Sequence, residues 1–395
     1  MHSLRTTVSF RHAFLTATLV GLTFAPTSSP GADRTPAVKI VHLGDQGIQP
    51  QVVRDSQGAV HLVTFRGDPA GGDVWYARRE PGANDFADFH KVNSQSGSAI
   101  AVGSIRGAQF ALGKNGRPHV VWNGSGKAEP RGPGKNDSPL LYTRLNDAGT
   151  EFESQLDVIG KAYVLDGGSS VAADLEGNVH VIWHAGSSGE ENRRVWLARS
   201  EDEGKTFSPE RSIDFKAEGA CGCCGLKAGS DQAGNVYVLF RSAREKQNRD
   251  MTLLQSRDGG KTFSTATLGP WSITTCPMSS AAFAESEKQV VIAWETQGQI
   301  EFTRIDKQTG KPAKIVRVPG TGQPRRLPAV AVDEAGDVLL TWTEGTGWQK
   351  GGDLAWQMFR ANDRPVGKPA RERNVPVWSF AAVWSNGSGG FEVVY

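Results

Sequence analysis

Four cysteines carry the most reactive side chains in this 395-residue sequence, and they fall in two places: Cys221-Gly-Cys-Cys224 and Thr275-Cys276-Pro-Met278. Two disulfides are one outcome, with Cys223 or Cys224 bonded to Cys276 and a local bridge left within 221–224; spacing alone does not fix the connectivity. The other outcome is a thiol-ligated metal or redox site. Three or four thiolates, with Met278, Met251 and His184 as further donors, are soft ligands suited to copper or zinc. Against this, the spacing matches none of the paired Cys-x-x-Cys zinc patterns. No other cofactor is expected. A second set of residues could handle an acidic or sugar-like ligand. Arg66, Arg241 and Arg325 (or its neighbour Arg326) are carboxylate-binding candidates. His184 and Trp271 would complete the lining, and Glu295, Glu344 and Asp166 are carboxylates available for acid/base work.

Those residues must be positioned by a repeat. A turn Asp-x-x-Gly, followed by His or Tyr and then an aromatic, is cleanest in Asp174-Leu-Glu-Gly-Asn-Val-His180-Val-Ile-Trp183. Close copies run from Asp231 to Phe240 and from Asp333 to Trp342. Looser ones run from Asp55 to Phe65, Gly113 to Trp122, Glu285 to Trp294 and Asn386 to Tyr395. The turns fall at positions 55, 113, 174, 231, 285, 333 and 386, a spacing of 48 to 61 residues. That is the length of one four-stranded propeller blade. The alternation in Val-His-Val-Ile-Trp has period two, as in strands buried between neighbouring blades. His61, His119 and His180 then occupy one repeat position and read as structural; Trp122, Trp183, Trp294 and Trp342 read as packing between blades. The expected fold is all-β, a β-propeller of six or seven four-stranded blades. Seven units are counted, with Ala37–Leu43 pairing near Phe391–Tyr395 to close the ring; a six-bladed ring with a terminal hairpin is the alternative. Arg66, His184, Arg241 and Glu295 follow the repeat aromatics, while Tyr163, Asp166, the cysteines and Arg325 open inner strands. All therefore face one end of the ring.

Two third strands run into near-identical turns, Ser200-Glu-Asp-Glu-Gly-Lys-Thr-Phe207 and Ser256-Arg-Asp-Gly-Gly-Lys-Thr-Phe263. In each, the Asp side chain (Asp202, Asp258) can accept from backbone N–H groups ahead of it. A Gly (Gly204, Gly260) can take a positive φ, Thr206 or Thr262 closes the loop, and Phe207 or Phe263 plugs it onto the sheet. This S-x-D-x-G-x-T-F pattern resembles the Asp-box (BNR) repeat of the sialidase-like β-propellers. The resemblance implies a structural turn on the face away from the active site. It further implies a site with three arginines for a substrate carboxylate, a Tyr nucleophile backed by Glu, and an Asp acid/base. On this chain those roles would fall to Arg66, Arg241 and Arg325, to Tyr163 with Glu295, and to Asp166. The family's Arg-Ile-Pro motif is not matched: its nearest counterpart is Ile48-Gln-Pro50, with Ile48 where Arg belongs. Sialidase-like glycoside hydrolysis is thus one expectation. A non-catalytic binding module or scaffold is a second, and a thiol-ligated metal or redox protein a third.

The ends and the charge balance set the context. Arg5 and Arg11 precede the apolar run Ala13–Ala25, too short to span a bilayer, so 1–25 reads as a secretory signal, 26–36 as a flexible mature N-terminus and 37–395 as one propeller domain. The mature protein is expected to be secreted or periplasmic, without a membrane span, and monomeric. With 44 basic and 42 acidic residues spread evenly there is no basic stripe, so the expected partner is a glycan or small polar ligand rather than nucleic acid.

Overall fold

Each Asp-x-x-Gly turn folds for the same local reason. Asp174 Oδ1 accepts from the N–H groups of Glu176, Gly177 and Asn178 at 2.8–3.0 Å, while Gly177 takes φ +99°. Asp231 repeats this with Ala233 and Asn235, and Tyr237 donates its hydroxyl to the same carboxylate at 2.9 Å. Between such turns, strands with side chains such as Val179, Val181, Ile182 and Trp183 are fully buried on both faces, so they must be covered by sheets on either side.

The computed structural model describes residues 36–395 apart from positions 136, 187, 188, 215, 217 and 321, together with His2 and Thr7. But for those two residues, the leader expected over 1–25 and the stretch to residue 35 lie outside the described residues. Seven sheets form seven blades. Blade one is built from Ile48–Arg54, Val60–Arg66, Asp73–Arg79 and Ala87–Lys91. Blade two follows with Gln109–Leu112, Pro118–Asn123, Leu140–Arg144 and Leu156–Asp157, and blade three with Leu165–Ala173, Val179–Ala185, Arg194–Ser200 and Arg211–Ser212. Blade four has Lys227–Ser230, Val236–Arg241, Met251–Ser256 and Ser264–Gly269; blade five has Ala281–Glu285, Gln289–Thr296, Gln299–Asp306 and Val316–Arg317. Blade six comprises Arg325–Val332, Val338–Glu344, Gly352–Phe359 and Pro365–Val375. The seventh has three strands: Ala382–Ser385 and Phe391–Val394 from one end of the chain, and Val38–Val41, lying parallel to Phe391–Val394, from the other. The ring therefore has seven blades, not six, and both ends of the chain close it.

Inner strands of successive blades are neighbours around the ring. The repeat tryptophans Trp122, Trp183, Trp294 and Trp342 are fully buried between blades. Truncating such an aromatic to Ala costs about 3–5 kcal/mol. Three single-turn 3₁₀ segments are the only helix among the described residues, and no helix there is long and apolar enough to cross a membrane.

Strand alternation fixes the two ends of the ring. Inner strands begin at one end, here called the mouth, where the loops between second and third strands also emerge. The Asp-x-x-Gly turns and the turns after third strands lie at the other end. There, Ser200 donates to Asp202 (2.7 Å), Gly204 N–H donates to Ser200 Oγ (2.8 Å), and Thr206 gives both its N–H (2.9 Å) and its hydroxyl (2.6 Å) to Asp202. The Ser256–Phe263 turn repeats every one of these bonds. Burial is the largest single influence and pushes the Asp202 carboxyl up, but the bonds from Thr206 and Ser200 together outweigh it and pull the group down to about 2. Gly204, at φ +82°, is required twice over: a Cβ there would sit 1.8 Å from the Tyr142 hydroxyl. That hydroxyl pairs with His119 Nδ1 at 2.7 Å, and the Tyr142 ring meets Phe207 edge-on at 4.9 Å. His61 pairs with Tyr76, and His180 donates to the Gly259 carbonyl. The three repeat histidines are thus pillars of the far end.

Candidate functional site

At the mouth, inner strands start with a backbone irregularity that sequence periodicity does not reveal. Gln49, Val164, Met278, Leu327 and Trp378, each opening an inner strand, all have φ between +48° and +63°. Left-handed backbone is costly for residues with a Cβ, most of all for branched Val164, and such strain gathers where a fold is shaped for use. Gln49 shows what holds it. The residue is buried, its Nε2 lies within 3.0 Å of the carbonyls of Ala101, Gly103 and Trp378, and its N–H donates to Ser379, so one side chain ties blades one, two and seven.

The densest polar cluster lies where blades four, five and six meet. Arg241 is 1% exposed, and its guanidinium donates to Ser279 Oγ (2.8 Å), the Arg249 carbonyl (2.6 Å), Thr296 Oγ1 (2.9 Å) and the Glu295 carbonyl. Trp271 stacks on it with its ring centre 4.6 Å away. Glu295 is also buried. Its Oε1 lies 3.5 Å from Arg326 Nε, while Oε2 has no hydrogen-bond partner. Burial, opposed by the charges of Arg326 and Arg241, raises its carboxyl to about 8, so at neutral pH it is a protonated acid.

Cys223 and Cys276 form a disulfide that joins the segments opening blades four and five, and Cys221 and Cys224 are buried thiols. Engaging Cys223 removes one thiolate from the set proposed for copper or zinc and counts against a metal there. His184 is buried, its Nε2–H donating to the Cys224 carbonyl at 3.0 Å; burial pushes its pKa down to about 4, leaving it neutral.

The other sequence candidates stand apart from this cluster. Tyr163 directs its hydroxyl to Asp157 (3.2 Å) and the Ile159 carbonyl (3.1 Å), and burial together with the Asp157 charge raises it to about 12. Asp166 pairs with Arg106 at 2.6 Å. Arg66 donates to the Gln46 carbonyl and lies over Phe89, 3.9 Å from the ring centre. Arg325 is buried, gives its terminal nitrogens to the carbonyls of Val318 and Pro319, and faces Trp342 and Glu344. Among the described residues no hydrogen bond links Glu295, Asp166 and Tyr163 to one another, and Arg66, Arg241 and Arg325 each have separate partners.

Sequence reasoning overlooked an aromatic ledge. Trp348, in the Gly-rich loop between second and third strands of blade six, is 58% exposed and meets Trp378 edge-to-face at 6.0 Å. Beside it lies a recess of ≈ 30 Å³ lined by Ser104, Met278, Arg326, Thr346 and the two indoles. That is room for one or two waters, so a larger ligand would lie across the indole rather than inside. A lone Trp among glycines (Gly345-Thr-Gly-Trp-Gln-Lys-Gly) was the available signal. Deeper in the ring the central channel is crossed by Lys227, whose Nζ reaches Gln109 (2.9 Å) and Gln51 (3.2 Å); burial pushes its ammonium down to about 8.

No protein-family model matches the chain, and no curated protein matches it. Solved structures do. An uncharacterised protein from Dyadobacter fermentans aligns over 79% of this chain and 94% of its own, at 13% identity and a TM-score of 0.50. A Hadza microbial sialidase (13% identity, 85% and 75% covered, TM-score 0.47) and the NanB sialidase of Streptococcus pneumoniae (12%, 87% and 64%, 0.45) are more loosely alike. The first likeness bears on the fold alone; the two looser ones carry no weight.

Proposed function

We propose that this protein is an exported propeller of the sialidase superfamily that binds a glycan or another acidic, polar ligand at its mouth without hydrolysing it. The observation that carries this reading is the exposed Trp348 set edge-to-face against Trp378 beside the Arg326 guanidinium. An indole ledge flanked by a cation suits the apolar face of a sugar ring and an acidic substituent on it. Three features support the wider reading. The Ser200–Phe207 and Ser256–Phe263 turns make the bonds that the Asp-box resemblance implies. The Cys223–Cys276 bond fits an oxidising compartment. The separate partners of Glu295, Asp166 and Tyr163 favour binding over hydrolysis, which needs its groups converging on one bond.

The test is titration of sialosides and neutral and uronic-acid oligosaccharides into the mature protein by calorimetry, alongside Trp348→Ala. At least one acidic glycan should bind, and the variant should weaken it about tenfold or more with an unchanged melting temperature. Absence of binding across the panel, or equal binding by the variant, removes the ledge as the site. Release of a reducing sugar would restore the hydrolytic reading.

A further inference from the structure

The four cysteines hold more chemistry than a staple. Cys221 Sγ lies 2.8 Å from Cys224 Sγ and 3.5 Å from Cys223 Sγ, and the three sulfurs fall within 4.8 Å of one another. Only Cys223 is bonded elsewhere, to Cys276. The two thiols are each 1% exposed, whereas Cys223 is half-buried and Cys276 exposed. A buried dithiol thus touches a disulfide that opens onto solvent. The pocket favours thiolate. Burial disfavours charge on Cys224, but the Cys221 hydrogen bond, the Arg241 cation and Ser279 Oγ at 3.6 Å outweigh it and bring the group to about 7. The backbone holds the arrangement: Cys221 N–H donates to the Arg241 carbonyl, and Gly222 N–H to Glu190, itself paired with Arg249.

We propose that the four cysteines form a thiol–disulfide exchange centre, in which one disulfide moves between the surface pair Cys223–Cys276 and the buried pair Cys221–Cys224. At rest Cys224 carries the thiolate and Cys221 the proton; passing that proton to Cys224 across their 2.8 Å contact makes Cys221 the nucleophile facing Cys223. Cys221 Sγ, 3.5 Å away, attacks Cys223 Sγ; the Cys221–Cys223 bond forms, the Cys223–Cys276 bond breaks, and Cys276 departs as a thiolate and takes up a proton. Cys224, deprotonated in turn, attacks Cys221 Sγ. The Cys221–Cys224 bond forms, and Cys223 departs as a thiolate and is protonated. One disulfide and two thiols stand on each side, so no oxidant or reductant enters. The electrons of a buried dithiol have been delivered to the surface. There the Cys223/Cys276 pair can reduce a partner of one chemical class, an accessible disulfide, which takes two electrons and two protons as Cys223–Cys276 re-forms.

The test uses the mature protein under native conditions. It is incubated with N-ethylmaleimide, quenched in acid, and mapped by mass spectrometry without reduction. Exchange predicts maleimide on Cys223 and Cys276 together with a Cys221–Cys224 disulfide, and in Cys221→Ser the Cys276 label should drop to background. The proposal is overturned if the wild-type map retains Cys223–Cys276 with label confined to Cys221 and Cys224. It is equally overturned if all four cysteines are recovered in two disulfides, or if a bound soft metal shields the thiols. The wild-type map decides the question even if the variant does not fold.

Discussion

The far end and the mouth of this ring are made by the same seven repeats, yet they are held by opposite means. At the far end the bonds that shape the turns are local, and the few that cross blades, such as His180 to Gly259, are added to turns already complete. Asp202 is satisfied by Ser200 and Thr206, Asp174 by residues two to four ahead, and each turn completes itself before the chain moves on. At the mouth the bonds are distant. Gln49 meets Ser379, Arg241 meets Ser279, Glu295 and Thr296, and Cys223 meets Cys276. Local bonds can be copied from blade to blade. Distant ones must be unique to each junction, so the mouth is where seven similar units become different.

That contrast can be broken by mutation. Arg241→Ala should produce the largest loss, about 3–5 kcal/mol in urea unfolding, because it leaves the buried carbonyls of Arg249 and Glu295 and the hydroxyls of Ser279 and Thr296 without their donor and opens a cavity against Trp271. A loss no larger than for an exposed residue would mean the mouth is not held by its long-range bonds. Asp202→Ala should cost about 1–2 kcal/mol through the lost turn bonds. Since the Asp202 carboxyl in the fold titrates near 2 and an unfolded Asp near about 4, its contribution is full above pH 4 and lost as pH falls through 2. The gap between wild type and variant should therefore close on acidification, and a constant gap would refute the turn account. Lys227→Met should go the other way, stabilising by about 1 kcal/mol at pH 7, less than the full shift because the side chain as a whole is only partly buried. The unfolded chain binds more protons than the folded one between about pH 8 and 10, so wild-type stability rises across that window and the variant's advantage disappears. Trp348→Ala should change stability least, within about 0.5 kcal/mol, while removing the ledge.

Legibility in the sequence follows the same division. The Asp-x-x-Gly turns, the paired Ser-x-Asp-x-Gly-x-Thr-Phe segments and the buried repeat tryptophans were readable because each is a local pattern with a local cause. The mouth position of Arg241, Arg325 and Glu295 was readable from their place after or before a strand. Their burial and their partners were not, since those depend on which blade stands opposite. Gln49 and Trp378 were invisible for a related reason: a left-handed residue at a strand entrance leaves no compositional trace when it is not glycine. Cys223–Cys276 was one of the pairings open from spacing, and only the geometry between blades four and five selects it.

The strand Val38–Val41 beside Phe391–Val394 has a consequence for how this chain acquires its shape. Six sheets draw their strands from contiguous sequence and can form in the order in which they emerge. The seventh waits for residues more than 350 positions apart to meet, a contact whose entropic cost delays it relative to hairpins. Until then the hairpin of Ala382–Ser385 and Phe391–Val394, whose inner strand packs between blades six and one, has an unpaired outer edge. In a pulse-labelling experiment during refolding, the amides of Val38–Val41 should gain protection last, and a competing peptide copying 391–394 should leave the edge of Phe391–Val394 unpaired.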